Sequence, residues 1–247
     1  MKRLIFLVFL FLSTNAFAAS PYISLGAGFL RSNTATLRDR DCGSTEPPAL
    51  FGCGTGNDRR PFAARGDFGD TPLFRIAAGV QSSRTRVELE LATRPSLDFD
   101  ANANFTGVAS PQPVRASGSS RSALVIAAID LGTTRVRPFV AAGAGVARNE
   151  IGSVRFTFPS IAPDATTTIR GGAQNSFAWT ASAGATLALT QSLNVDVSFR
   201  YDDLGVVRTD AGAATIVRPT RTLTLDIAGT EARLRAGGIA IGVRWRI

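Results

Sequence analysis

Eight stretches of this chain alternate between apolar and polar or small residues, and the connections between them alternate between long and short. The stretches are residues 22–31, 71–81, 85–94, 121–131, 135–148, 176–189, 193–201 and a last one ending at Ile247. A period of two is the signature of a strand, whose successive side chains point to opposite faces. Residues 82–84, 132–134 and 190–192 are tight turns, whereas 32–70, 95–119, 149–174 and 202–232 are long and rich in Gly, Pro and polar residues. Every long connection therefore falls at one end and both termini fall at the other. That rhythm predicts an all-β, eight-stranded antiparallel barrel whose two ends face different surroundings. Residues 154–158, 166–169 and 215–227 also alternate in part, so ten strands is the alternative count.

The two faces of these strands differ in chemistry. One phase carries Ile23, Leu25 and Phe29, then Phe74, Ile76 and Val80, then Val87, Leu89 and Leu91. It ends in the closing strand with Ile239, Ile241, Val243, Trp245 and Ile247. The opposite phase carries Arg75, Arg86, Glu88, Glu90, Asp196, Arg200, Arg244 and Arg246. An apolar outside with charges inside is the polarity of a transmembrane barrel, where every backbone group must be paired and the sheet must close. Phe29, Phe74, Phe177, Trp179, Phe199, Tyr201 and Trp245 fall near strand ends on the apolar phase, where aromatic girdles belong. Eight strands enclose just enough room for side chains. The expected interior is a packed ion-pair network in which each buried charge has a partner; a narrow pore is the other reading. Residues 124–129 are apolar throughout and show no phase.

The ends and the composition narrow the class. Lys2 and Arg3 precede an apolar run over residues 4–12 and a small-x-small site at Ala16-Phe17-Ala18. This predicts a signal peptide over 1–18, cleaved before Ala19, and a single domain over 19–247. Cys42 and Cys53 are the chain's two cysteines. In an exported protein they predict a disulfide, worth about 2–3 kcal/mol for so short a loop. No metal site or cofactor is expected, because structural zinc wants four Cys or His ligands and the chain has no His. The same lack removes Ser-His and Asp-His catalytic devices. Bare carboxylate pairs remain at Glu88 with Glu90 and at Asp202 with Asp203. Gly143-Ala144-Gly145 opens no helix and is not a nucleotide loop. The 27 basic residues outnumber 19 acidic ones, and every basic residue beyond Lys2 is Arg. Many lie in or beside the long connections, where guanidinium pairs suit phosphate and carboxylate. No basic-aromatic motif points to nucleic acid.

Several segments are similar to those of a known group. Residues 137–147, RPFVAAGAGVA, resemble the Pro-aromatic-x-x-x-Gly-x-Gly strand of small bacterial outer-membrane barrels. Phe177-Ala178-Trp179 followed by Ala183-Gly184 resembles the next strand of that group, and residues 195–205, VDVSFRYDDLG, its Tyr-Arg-Tyr-x-Asp-x-Gly strand. The terminal strand resembles its assembly signal, although the group usually ends in Phe and this chain ends in Ile247, with Trp245 supplying the aromatic. The resemblance is to the OmpA/OmpX-like and Opa-like porin-family or surface-antigen barrels, and it covers the whole chain after the leader. It implies a Gram-negative outer-membrane location, short periplasmic turns, four long extracellular loops and insertion by the barrel assembly machinery. It further implies a structural or surface-interaction role with Arg-rich loops. Expected partners are membrane lipid and lipopolysaccharide, with host surface or phage reached through the loops. A narrow porin-like channel for small solutes is the alternative. A soluble periplasmic lipocalin-like barrel, with the polarity of its two faces reversed, is a third reading.

Overall fold

The structure, a computed structural model, describes residues 19–107 and 111–247. The expected leader over 1–18 lies outside the described residues. The strands in chain order are β1 (Ser20–Ser32), β2 (Ala35–Asp39), β3 (Ala64–Asp67), β4 (Asp70–Ser82), β5 (Thr85–Ala103), β6 (Pro113–Asp130) and β7 (Val136–Ile151). They continue with β8 (Val154–Thr157), β9 (Thr166–Ile169), β10 (Gly172–Ala188), β11 (Leu193–Arg208), β12 (Gly212–Arg218), β13 (Arg221–Ile227) and β14 (Thr230–Arg246).

The eight long strands close a ring in the order β1, β4, β5, β6, β7, β10, β11, β14 and back to β1, every pair antiparallel. Closure leaves the ring no edge to satisfy. At the seam Tyr22 faces Arg246, and the Ile247 N–H donates to the Pro21 carbonyl at 3.0 Å. The ten-stranded count is corrected: β8, β9, β12 and β13 lie outside this ring.

The outward phase is apolar around the whole circumference. Leu25, Phe29, Phe177, Phe199, Ile239 and Trp245 are each at least 60% exposed. A contiguous apolar surface of this size is not a solvated one; it is a belt for lipid. The reversed polarity of a lipocalin-like barrel is thereby excluded. Within the ambiguous 124–129 run, Val125 and Ile129 face out while Leu124 and Ile126 are buried.

The long connections are corrected as well. Residues 95–119 are mostly strand: β5 runs on to Ala103 and β6 begins at Pro113. Pro95 and Ser96 are both exposed and oppose one residue of β6, a β-bulge between Arg94 and Leu97. A bulge tolerates the proline, which cannot donate to a ladder. The other three connections fold into short strands that continue the wall outward. β2 and β3 bridge β14 to β5 beyond the ends of β1 and β4. β8 and β9 continue from β6, and β12 pairs both β9 and β13.

Candidate functional site

The interior has two storeys, and the lower one is ionic. Nearest the short turns, Arg86 lies 3.2 Å from Asp196 and 3.5 Å from Asp130. Arg137 reaches Asp130 at 3.5 Å and donates to Asn194 at 2.9 Å. Arg244 reaches Asp196 at 3.3 Å and donates to Gln81 Oε1 at 2.8 Å. Their flat faces are also used: Arg86 stacks over Phe139 at 4.7 Å and Arg244 over Tyr22 at 5.3 Å. Cation–π contact of this kind strengthens as water is removed.

Higher up, Glu90 is fully buried and accepts two hydrogen bonds from Arg200, at 2.7 and 2.8 Å, and one from Arg75 at 3.2 Å. Arg200 also donates to Asp202 at 2.7 Å, and Asp202 takes a second guanidinium, Arg94. Tyr22 donates its hydroxyl to Glu88 at 2.8 Å. Arg75 lies across two glycines that are register partners. A Cβ on Gly26 would stand 2.6 Å from Arg75 Nε, and one on Gly242 would stand 2.6 Å from Nη2. Those positions are small because a guanidinium occupies the space. Isolated charges at this depth would cost several kcal/mol each, so mutual pairing is what makes them tolerable.

The upper storey is apolar. Asn149 marks the boundary, donating to the Leu204 and Val206 carbonyls at 2.7 and 3.0 Å. Beyond it Leu97, Phe99, Val114, Phe156, Ile169, Leu204 and Leu234 fill the barrel with almost no exposure. Phe68 and Phe99 meet at 4.9 Å between ring centroids, and Phe51 stacks on Phe105 at 5.1 Å. Phe51 is delivered by the stapled segment. Cys42 and Cys53 form a disulfide, and the Asp39 carboxylate accepts the N–H groups of Leu50, Phe51 and Gly52 at 3.0, 2.9 and 2.8 Å. Burial raises the Asp39 pKa, with the three backbone hydrogen bonds opposing the shift.

Little space remains. The cavity between Arg75, Arg86, Ile126, Phe139, Asp196 and Arg200 has a volume of about 30 Å³, the scale of a single water.

Of the charges expected inside, Arg75, Arg86, Glu88, Glu90, Asp196, Arg200 and Arg244 come together in this network. Arg246 does not join it: the side chain is half-buried at the open lower end and makes no ion pair among the described residues. In the closing strand Ile239, Ile241, Val243 and Trp245 point outward, with Ile247 exposed at the end. Both carboxylate pairs that stood as bare acid candidates are engaged. Glu88 and Glu90 face Tyr22 and arginines, and Asp203 bridges Arg233 and Arg235 at 2.8 and 3.0 Å.

Arg94, Asp130, Arg137, Asp202 and Tyr22 belong to the network but are absent from the sequence-derived set. Parity would have found Arg94 and Asp202, which share the phase of Glu90 and Arg200. Arg94 closes the stretch 85–94, where only its apolar neighbours mark the phase, and Asp202 lies one residue beyond the stretch 193–201.

No protein-family model matches the chain, and no curated protein matches it. Solved structures do. The chain is similar to Neisserial surface protein A, with 15% identity, a TM-score of 0.42 and coverage of 93% of this chain and 99% of that one. It is similar to the outer membrane protein OprG of Pseudomonas aeruginosa, with 12% identity, a TM-score of 0.47 and coverage of 92% and 97%. The outer membrane protease OmpT of Escherichia coli matches with 9% identity, a TM-score of 0.46 and coverage of 92% and 97%. A surface protein and a protease stand side by side here, so the likeness carries no activity.

Proposed function

We propose that this chain is an outer-membrane barrel of a Gram-negative cell whose role is structural or surface-interactive, neither conductive nor catalytic. The observation that carries this reading is the filled interior. Charges paired across the lumen below and a dry aromatic core above leave no path for a solute. Catalysis would need a poised acid, base or nucleophile, and the lumen carboxylates are spent on arginines.

In this reading the leader over 1–18 directs export. The barrel assembly machinery engages the terminal strand through Ile239, Ile241, Val243, Trp245 and Ile247. The short turns face the periplasm and the storey of short strands faces outward. The exposed arginines at that end, among them Arg38, Arg40, Arg59, Arg60, Arg170 and Arg221, suit anionic surfaces: lipopolysaccharide phosphates, a host surface or a phage. Two measurements test the reading. Purified barrel in planar bilayers is expected to give no conductance; reproducible single-channel steps would overturn the closed lumen. Envelope fractions washed with carbonate are expected to retain the protein, and its release would overturn membrane integration.

A further inference from the structure

Arg121 of β6 and Arg148 of β7 are direct cross-strand partners, and both point outward. Like charges directly opposite on one face repel. Arg148 has one counter-charge, Glu150 at 2.9 Å, while Arg121 has no ion pair among the described residues. Arginine on a lipid-facing wall also costs energy, least at the interface. At the upper margin of the apolar belt, two guanidiniums thus share a single nearby carboxylate, Glu150.

Two grooves meet at this pair. Below it, a groove of about 740 Å³ runs down the outer wall between Phe74, Ile76, Leu91, Thr93, Ala123 and Val146. Small residues on β5 and β6 form its floor and bulky neighbours its flanks. Above it, a groove of about 630 Å³ is lined by Ser96, Asp98, Ser117, Ser119 and Glu150. Arg148 lines both grooves, and Arg121 lines the lower one. The sequence of surfaces is therefore apolar, then twice cationic, then hydroxyl- and carboxylate-rich. That order matches one class of molecule end to end: an acyl chain, a phosphate and a sugar. Guanidinium pairs grip phosphate through parallel N–H donors, and serine hydroxyls with carboxylates suit sugar hydroxyls.

We propose that this composite groove binds a phosphorylated glycolipid of the surrounding leaflet, with its phosphate held between Arg121 and Arg148 and an acyl chain in the groove below. The proposal rests on the membrane placement argued above. The test reconstitutes wild-type barrel in phosphatidylcholine nanodiscs containing equal mole fractions of lipid A, dephosphorylated lipid A or phosphatidylglycerol, and counts retained lipid by native mass spectrometry. Lipid A is expected to be retained about tenfold more than either competitor, the margin of one charge-assisted contact. R121Q/R148Q is expected to abolish that margin, while R84Q, in the short β4–β5 turn at the opposite end of the barrel, keeps it. Equal retention of dephosphorylated lipid A, or an unchanged R121Q/R148Q variant, would overturn the phosphate site. Equal retention of phosphatidylglycerol would assign the groove to any anionic lipid and overturn the sugar. Displacement of lipid A by millimolar inorganic phosphate would overturn the lipid as occupant. Each sample is first checked for its heat-resistant folded band and for carbonate-resistant insertion; failure there refutes the membrane placement instead.

Discussion

Single side chains in this barrel matter through the partners they would strand. Glu90 neutralises Arg75 and Arg200 in a fully buried position. E90A leaves two guanidiniums without their shared counter-charge, and removal of one member of a buried pair costs about 3–5 kcal/mol. Urea unfolding in vesicles is expected to show that loss, whereas truncating Glu150, which pairs at the surface, is expected to leave the unfolding midpoint unchanged. Asp203 makes a pH-dependent contribution at the rim, above the outward apolar residues of β11 and β14. Burial pushes its carboxyl up, but hydrogen bonds from Arg233, the Gly205 N–H and Arg235 outweigh burial and hold it below the ordinary carboxylate range. A lowered folded-state pKa means the stabilisation is complete above the unfolded value of about 3.9 and is lost as pH falls through the folded one. Protection factors for hydrogen exchange at the outer ends of β11 and β14, the observed rates corrected for the intrinsic pH dependence of amide exchange, are therefore expected to be flat from pH 7 to 5 and to fall below about 4. D203N is expected to exchange faster already at neutral pH and to show no acid step.

Strands here are longer than their apolar phase, and that is why part of the fold was legible and part was not. The eight staves and their facing followed from alternation, as did the rhythm of turns. The outer storey did not, because two bulges break the parity on which alternation depends. On β5 the inward residues run Arg86, Glu88, Glu90, Ala92, Arg94 and then, past Pro95-Ser96, Leu97, Phe99 and Ala101. On β11 they run Asp196, Ser198, Arg200, Asp202, Leu204 and then, past the bulge with Gly205 at φ +77°, Val207. A reader who keeps one parity loses the core at each break, and the polar outward residues there look like loop. The β5 bulge yields a discriminating experiment. Deleting Ser96 alone restores regular pairing and keeps Leu97 inward, so the folded band is expected to survive. Deleting Pro95 and Ser96 together turns Leu97, Phe99 and Ala101 outward, and the outer core is expected to be lost. The stapled segment is a separate unit of the same storey. Reducing Cys42–Cys53 frees a closed loop worth about 2–3 kcal/mol. Protease is expected to cut residues 43–60 faster while the ring keeps its heat-resistant mobility.

Across the whole molecule the two storeys divide the work of stability. Below, paired charges fix the lumen where lipid supplies no hydrophobic gain. Above, an aromatic core of the ordinary soluble kind closes the barrel. The strand continuity between them has a mechanical consequence. β5 has 19 residues, so it is roughly 60 Å long, and tilted at about 40° it climbs on the order of 45–50 Å. The apolar band takes about 25 Å of that height. The remaining ~20 Å is a rigid pedestal, because the staves that cross the bilayer are the same staves that carry the tip. Whatever meets the tip meets it at a constant standoff from the lipid, as a reader meets a fixed gauge mark. Neutron reflectometry on supported bilayers is expected to find one sharp outer protein layer, unbroadened by reduction of the disulfide.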